Sequence, residues 1–514
     1  MKIDVGTVQQ QLNSENNELS NSMQSTYELL PDILEFIQDT QLLGMAYNQF
    51  KGHMVDVTQS LIKAICCMLE SKIGGNTKYL SALNQYLSGM GKVDLDELIS
   101  KKQNMETSVE NLKGNAVVGA VTAPYTAALG LVINNINNIN NKIQKIEGFL
   151  AASQGCYQDF SEKYSVAMQG IAAAKALAYN SATSTCPNIT NADMQWTQMV
   201  NNFYDERNRE ILQEKYGEYI KNNPGKQLNM MIIAEYERFH GDDAKKYDKL
   251  LDPLEEEDEI NIKIITYNAD QLYRDMMFKY ADKYKIELSD EDGSYFSRSE
   301  DKIVLKENQF RGDKYQTFFH ECGHAIDYNF SKENKIKTYT SAAFVGSNGI
   351  TLDQSTENDV KNWTQTQAQK YIDSEYQNLS DAERKNMANN VTEFVMSKGQ
   401  TTLTSAEEGI LSDIQVEFAN KAQGRPGALV SDTASGVTDF ILLGDSSHLA
   451  SGDKEGTYWT YNNGKTRHVP SSEYFAEYYG YNMTNNVKGL NFVSEMYPES
   501  KAVIDEMLYK IGNN

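Results

Sequence analysis

Cysteine is scarce: Cys66, Cys67, Cys156, Cys186 and Cys322 are the only five in 514 residues. They are scattered or adjacent, and the neighbouring pair Cys66-Cys67 is awkward to bridge, so no disulfide framework can be read from them. Positive charge is short as well. The 48 Lys and Arg against 71 Asp and Glu leave a formal charge of −23. That balance speaks against nonspecific nucleic-acid binding and against an anionic membrane surface as partner. Met1-Lys2-Ile3-Asp4-Val5 opens no apolar run followed by small residues, so a cleaved secretory signal is not expected. The one long uncharged stretch, Ala116 to Ile133, sits at the lower limit for crossing a bilayer and is weakened by Pro124, Tyr125 and two threonines. Its small residues suit tight helix packing; transient membrane contact is the other reading.

Histidine is nearly as rare, with six in the chain, yet two of them fall in His320-Glu321-Cys322-Gly323-His324. On a helix, positions i and i+4 share a face, so both imidazoles can point at one metal ion. Glu321, rotated away by one residue, can reach a metal-bound water as general base. Tyr315, Phe318, Phe319, Ala325, Ile326 and Tyr328 flank the motif, which is the composition of a buried helix. Buried imidazoles need partners, and a metal supplies one.

Zinc needs a third protein ligand and a place left for water. Glu473 and Glu477, in Ser472-Glu473-Tyr474-Phe475-Ala476-Glu477-Tyr478-Tyr479, are again i and i+4 on an otherwise aromatic and small helix. Two carboxylates there are costly to bury unless something positive awaits them. Glu408, in Glu407-Glu408-Gly409-Ile410-Leu411-Ser412-Asp413, is the rival; the segment is loosely similar to the downstream helix of thermolysin-like enzymes, with a spacing to Asp413 one residue too long. Upstream, Tyr295 to Leu305 reads as a hairpin around a polar turn at Ser299-Glu300-Asp301. An edge strand in that place either holds a substrate backbone by strand addition or is purely structural.

His320 to Asp327, taken with Glu473-Tyr474-Phe475-Ala476-Glu477, resembles the catalytic core of anthrax-lethal-factor-like zinc metallopeptidases. The resemblance implies His320, His324 and Glu473 as zinc ligands, Glu321 as base, and Glu477 as an outer orienting carboxylate, with Asp327 assigned to the same outer ring. The gap between His324 and Glu473 is much longer than in lethal factor, so helices and loops are inserted there. The tyrosine that the family places ahead of its third ligand to steady the oxyanion falls on Thr466. His468 and Tyr461 are nearby, and His468 is the preferred donor.

Residues 5 to about 180 read as helical throughout, with polar Gln, Asn and Ser faces alternating with Leu, Ile, Met and Phe, and with Pro31 and Pro124 as the only prolines. Ile136, Ile139, Ile143 and Ile146 form a heptad-like seam against a neighbouring helix. Such helices imply a bundle, or long hairpins awaiting a partner chain. Within this region Leu42-Leu43-Gly44, followed by Ala46-Tyr47 and Lys51, resembles the LXG domain of type VII secretion effectors. That resemblance implies a polymorphic toxin from a Gram-positive bacterium, exported through type VII machinery without a cleaved signal. It further implies small helical helper proteins on the N-terminal region and an immunity protein.

A Ser-, Thr- and Asn-rich stretch near Tyr179 to Asp193 marks a boundary. Glu255-Glu256-Glu257-Asp258-Glu259 reads as a solvated linker, and Ile260-Asn261-Ile262-Lys263-Ile264 alternates like a first strand. The expected organisation is therefore three-part: an all-α bundle or set of hairpins over 1–185, a connector over 186–259, and an α+β zincin-like metallopeptidase over 260–514. Its cofactor would be zinc and its substrate a peptide or protein. The competing reading is a non-enzymatic toxin acting on membranes through residues 116–133.

Overall fold

The computed structural model describes residues 1–38, 45–116, 123–177, 195–290, 293–307, 310–337, 339–422, 429–438, 440–442 and 470–513. Leu42 and Gly44, and Tyr461, Thr466 and His468, lie outside the described residues. The chain is mostly helical with small sheets, and it divides into two compact units, Met1–Tyr219 and Ile220–Asn514. The break falls inside the segment read as a connector. Past it, the helices Gln227–Phe239, Gly241–Leu251 and Glu256–Asn268 pack into the second unit through aromatic rings. Tyr236 stacks on Tyr267 at 4.5 Å between centroids, and Tyr247 meets Phe278 edge-on at 5.6 Å.

In the first unit, long helices run over Val5–Tyr27, Gln59–Leu87, Leu95–Ala116, Ala123–Ser153 and Gln158–Ala176. A two-stranded antiparallel ribbon, β1 (Lys2–Asp4) with β2 (Lys92–Asp94), ties the start of the chain to the start of the third of these helices. Asp4 then caps the first helix by accepting from the Thr7 N–H at 3.2 Å. Val5, Leu83, Leu87, Val93, Ile146 and Phe149 share one core. The isoleucine seam is graded: Ile143 and Ile146 are buried, whereas Ile136 and Ile139 are half-buried. No described helix is long and apolar enough to cross a membrane, and residues 117–122 of the uncharged stretch are not among those described.

Among the described residues, the second unit contains one three-stranded sheet. Its strands are β3 (Lys285–Ser289), β4 (Tyr295–Ser297) and β5 (Lys302–Lys306), in the order β3-β5-β4. β3 runs parallel to β5, while β4 and β5 form the antiparallel hairpin expected from the sequence, with Phe296 opposite Ile303. Asp301 turns the hairpin at φ 48°, a left-handed position that Asp tolerates better than most residues.

Two expectations at the start of this unit are overturned. Ile260 to Ile264 is not a strand but part of the helix Glu256–Asn268. The acidic run is not a solvated linker: Glu256 to Glu259 form the first turn of that helix, where the dipole favours them. Asp258 is buried and bound by the Arg311 guanidinium and the Tyr315 hydroxyl, the latter at 2.8 Å. The alternation of Ile260 to Ile264 misleads because Lys263 also turns inward, where Asp248 and Glu259 take its ammonium at 2.5 Å each. Buried positions therefore recur at helical spacing, Asp258, Ile262 and Thr266 on one row and Lys263 and Tyr267 on the next.

Among the described residues of the long interval between the two histidines and Glu473, the three longest helices are Leu352–Glu375, Asp381–Met396 and Ser405–Lys421. Each starts at a full capping box, Thr351 with Gln354, Ser380 with Glu383, and Thr404 with Glu407. These three helices are thus well bounded, and the first of them meets the segment of Glu473 through Asp353, which accepts from the Ser471 N–H at 3.0 Å.

Candidate metal centre

His320, Glu321 and His324 lie on the helix Gly312–Glu333, here the histidine helix; Glu473 and Glu477 lie on Pro470–Met483, the carboxylate helix. The two pack directly on each other. Their crossing depends on small residues. A Cβ on Gly323 would stand 2.8 Å from the Ala476 Cα, closer than real Cβ contacts come, and Gly480 lies against the backbone of His320. Only glycine lets the backbones approach this far. Every residue from Ser471 to Tyr481 is buried, so the carboxylate helix is enclosed on all sides.

The histidine helix is anchored at both ends. Lys314 and Tyr315 carry left-handed backbone at φ 58° and 63°, a costly arrangement for residues with a Cβ. The bond from Tyr315 to buried Asp258, together with the bond it accepts from Asn261, holds that entry in place. After the motif, Asp327 accepts from the Ser341 N–H at 3.0 Å and from the Ser341 hydroxyl, which ties the helix to the short helix Thr340–Ala343.

His320 and His324 converge through their Nε2 atoms, which are 3.2 Å apart. The Glu473 Oε2 lies 3.5 Å from the first and 3.3 Å from the second. All three side chains are buried, at 6 %, 5 % and 0 % exposure for His320, His324 and Glu473. Among the described residues this is the one group of three or more His, Cys, Asp or Glu whose ligand atoms come close enough to hold a metal.

The arrangement fits zinc on its own geometry. Donors on a tetrahedral ion with bonds of about 2.0–2.1 Å stand roughly 3.3 Å from one another, which is the spacing seen here. Two imidazoles that meet through Nε2 carry the ligating tautomer when the proton sits on Nδ1. An enclosed carboxylate pressed on two neutral rings would cost several kcal/mol without a cation. Burial pushes the Glu473 carboxyl up, but the two imidazoles outweigh it and hold it well below the usual carboxylate range.

Glu321 stands next to this cluster and is itself buried. Burial pushes its carboxyl up to about 7 and Glu473 adds to the rise, while the neighbouring His320 and the Phe296 backbone N–H oppose it. The Phe296 contact places β4, an edge strand among the described residues, beside Glu321.

The other residues singled out from the sequence are distributed as follows. Asp327 sits one turn below His324, pushed up to about 6 by burial and bound to Ser341. Glu477 is buried on the carboxylate helix and accepts from the Thr433 hydroxyl at 3.0 Å. Glu408 is exposed in the first turn of Ser405–Lys421 and is not in the metal group, so the structure brings Glu473, and not Glu408, to the histidines. Tyr339 went unnoticed in the sequence: it is buried, with its ring 6.0 Å from that of His324 and the Arg298 guanidinium 5.4 Å over its face. No string marks it among 31 tyrosines; only the fold returns it to the site.

No family model, curated protein or solved structure matches the chain.

Proposed function

We propose that the second unit is a zinc-dependent endopeptidase with a zincin-like catalytic core. The observation that carries this reading is the convergence of His320, His324 and Glu473 at tetrahedral spacing beside a buried glutamate from the same helix. His320, His324 and Glu473 would hold the ion. Bound zinc would supply Lewis-acid polarisation of a carbonyl and a water acidic enough to react near neutral pH. Glu321 would act as the general base, accepting a proton from the attacking water and returning it to the leaving amine as the C–N bond breaks. Phe296 and its neighbours on β4 offer backbone groups along which an extended substrate can add as a further strand.

The first unit serves export in this reading. Its helices, with the motif around Leu42 and Gly44, would be engaged by small helical helpers and type VII machinery, and the whole chain would be a secreted toxin restrained at home by an immunity protein. The test is cleavage of a fluorogenic peptide library by the full chain. Chelator-sensitive cleavage restored by zinc is expected. A chain that retains no zinc and cleaves no member overturns the reading.

A further inference from the structure

Building on the metal centre in that reading, we propose that Thr433 is a positioning residue for zinc: its hydroxyl holds the Glu477 carboxylate in place, so that the helices between the histidines and Glu473 set the grip on the ion. The Thr433 Oγ1 donates to the Glu477 Oε2 at 3.0 Å, and both residues are fully enclosed, at 0 % exposure. Glu477 stands one turn after Glu473 on the carboxylate helix, a separation of about 5–6 Å between Cβ atoms. Glu473, Ala476, Glu477 and Gly480 fall on one helical face by their spacing. That face is the one turned to the histidine helix, because Ala476 meets Gly323 and Gly480 lies against the His320 backbone. A carboxylate fixed there stands beside the crossing of the two ligand helices.

Thr433 is itself well anchored. It lies on the helix Leu429–Val437, which packs on the carboxylate helix. Just past that helix the Thr438 hydroxyl donates to the Val395 carbonyl at 2.8 Å, Phe440 meets Phe394 edge-on at 5.1 Å, and the Gln415 amide donates to the Phe440 carbonyl at 3.1 Å. Phe394 and Val395 belong to Asp381–Met396 and Gln415 to Ser405–Lys421, so two capped helices stand behind Thr433. With Asp353 on the Ser471 N–H, the interval holds the carboxylate helix both at its start and one turn past its ligand. An enclosed carboxylate that loses its donor is costly where it stands and is driven toward other partners. Its displacement would disturb Glu473 through the shared helix and move negative charge away from the ion. Partners of this outer kind are worth about 10–100-fold in metal affinity.

The experiment measures the zinc affinity of the full chain by competition with a chromogenic chelator, beside the thermal midpoint of the metal-free chain. Thr433→Val keeps the shape and removes the donor, and is expected to weaken zinc binding by about tenfold or more. Thr433→Ser, which keeps the hydroxyl, should bind zinc close to wild type. Thr433→Ala should repeat the loss and stands in if the valine variant does not fold. In a Glu477→Ala background Thr433→Val should add little, because the hydroxyl acts through that carboxylate. Wild-type affinity in Thr433→Val and Thr433→Ala, even with a lowered thermal midpoint, would overturn the proposal. So would a loss shared equally by Thr433→Ser, or a full further loss on top of Glu477→Ala. A chain that shows the expected pattern of zinc affinities yet cleaves no peptide would overturn the peptidase reading alone. A wild-type chain that binds no zinc would overturn both.

Discussion

The two units treat buried charge differently. In Met1–Tyr219 the buried polar side chains among the described residues are His53, Ser60, Ser71, Asn76 and Asn208, with no Asp, Glu, Lys or Arg. In Ile220–Asn514 the buried set includes Asp258, Lys263, Arg274, Glu321, Asp327, Asp359, Glu407, Glu473 and Glu477. Most of these have a structural purpose that can be named. Asp258 holds Arg311 and Tyr315, Asp359 accepts from the Ser500 N–H at 2.7 Å, Asp327 takes Ser341, and Glu407 closes a capping box. Glu473 differs: what faces it is a pair of imidazoles, and Glu321 stands beside the first of them and beside Glu473. Burying a charge is tolerable only with a compensating partner, so a unit that buries many charges has its partners built in, and the place where those partners are a pair of imidazoles is its candidate metal centre. The first unit, by contrast, is held by graded apolar seams.

The sharpest way to break this comparison is at Glu321. Glu321→Gln should keep zinc and fold while losing roughly 10²–10⁴ in kcat, the range for a positioned acid–base group; His320→Ala should lose zinc and activity together. Metal analysis beside peptide cleavage checks both, and normal cleavage by Glu321→Gln would remove the base from the account. Next in size, Ile146→Ala in the first unit should cost about 2–5 kcal/mol, with Ile136→Ala costing clearly less because it is half-buried. Equal shifts in urea midpoint would show that the seam is not graded.

Gly323→Ala follows, at about 1–3 kcal/mol from forcing a Cβ against the Ala476 backbone. Because the helices would part at the ligands, zinc affinity should fall along with the thermal midpoint; a midpoint and affinity like wild type would show that the crossing is slack. The smallest effect concerns Glu407. Burial pushes its carboxyl up, but the Thr404 N–H, the Asn390 amide and the Thr404 hydroxyl outweigh it and hold it below 4.5. The stabilisation is therefore present above about pH 4.5 and fades as pH falls through the lowered folded value. Glu407→Gln should shrink the acid-side loss of stability, and a pH series of melting midpoints reads it.

The local signals in the sequence survived where side-chain chemistry and helical spacing agree. His320 and His324, like Glu473 and Glu477, fall on single helices, and the β4–β5 hairpin follows its polar turn. The reading of Ile260 to Ile264 failed for a physical reason. Lys263 looked like the polar face of a strand, and only tertiary placement beside Asp248 and Glu259 lets a helix bury it. Asp258 was misjudged in the same way, since its partners Arg311 and Tyr315 lie more than fifty residues on. Tyr339 was illegible because nothing in its neighbours says that Asp327 and Ser341 bring it back to the histidines.

Zinc content after replacement of the third ligand tests the central claim most directly. Purified Glu473→Ala and Glu408→Ala chains, dialysed against trace zinc, should separate cleanly: the first without metal, the second with about one ion per chain, as tetrahedral ligation by His320, His324 and Glu473 requires. Full zinc in Glu473→Ala, with loss in Glu408→Ala, would contradict the account.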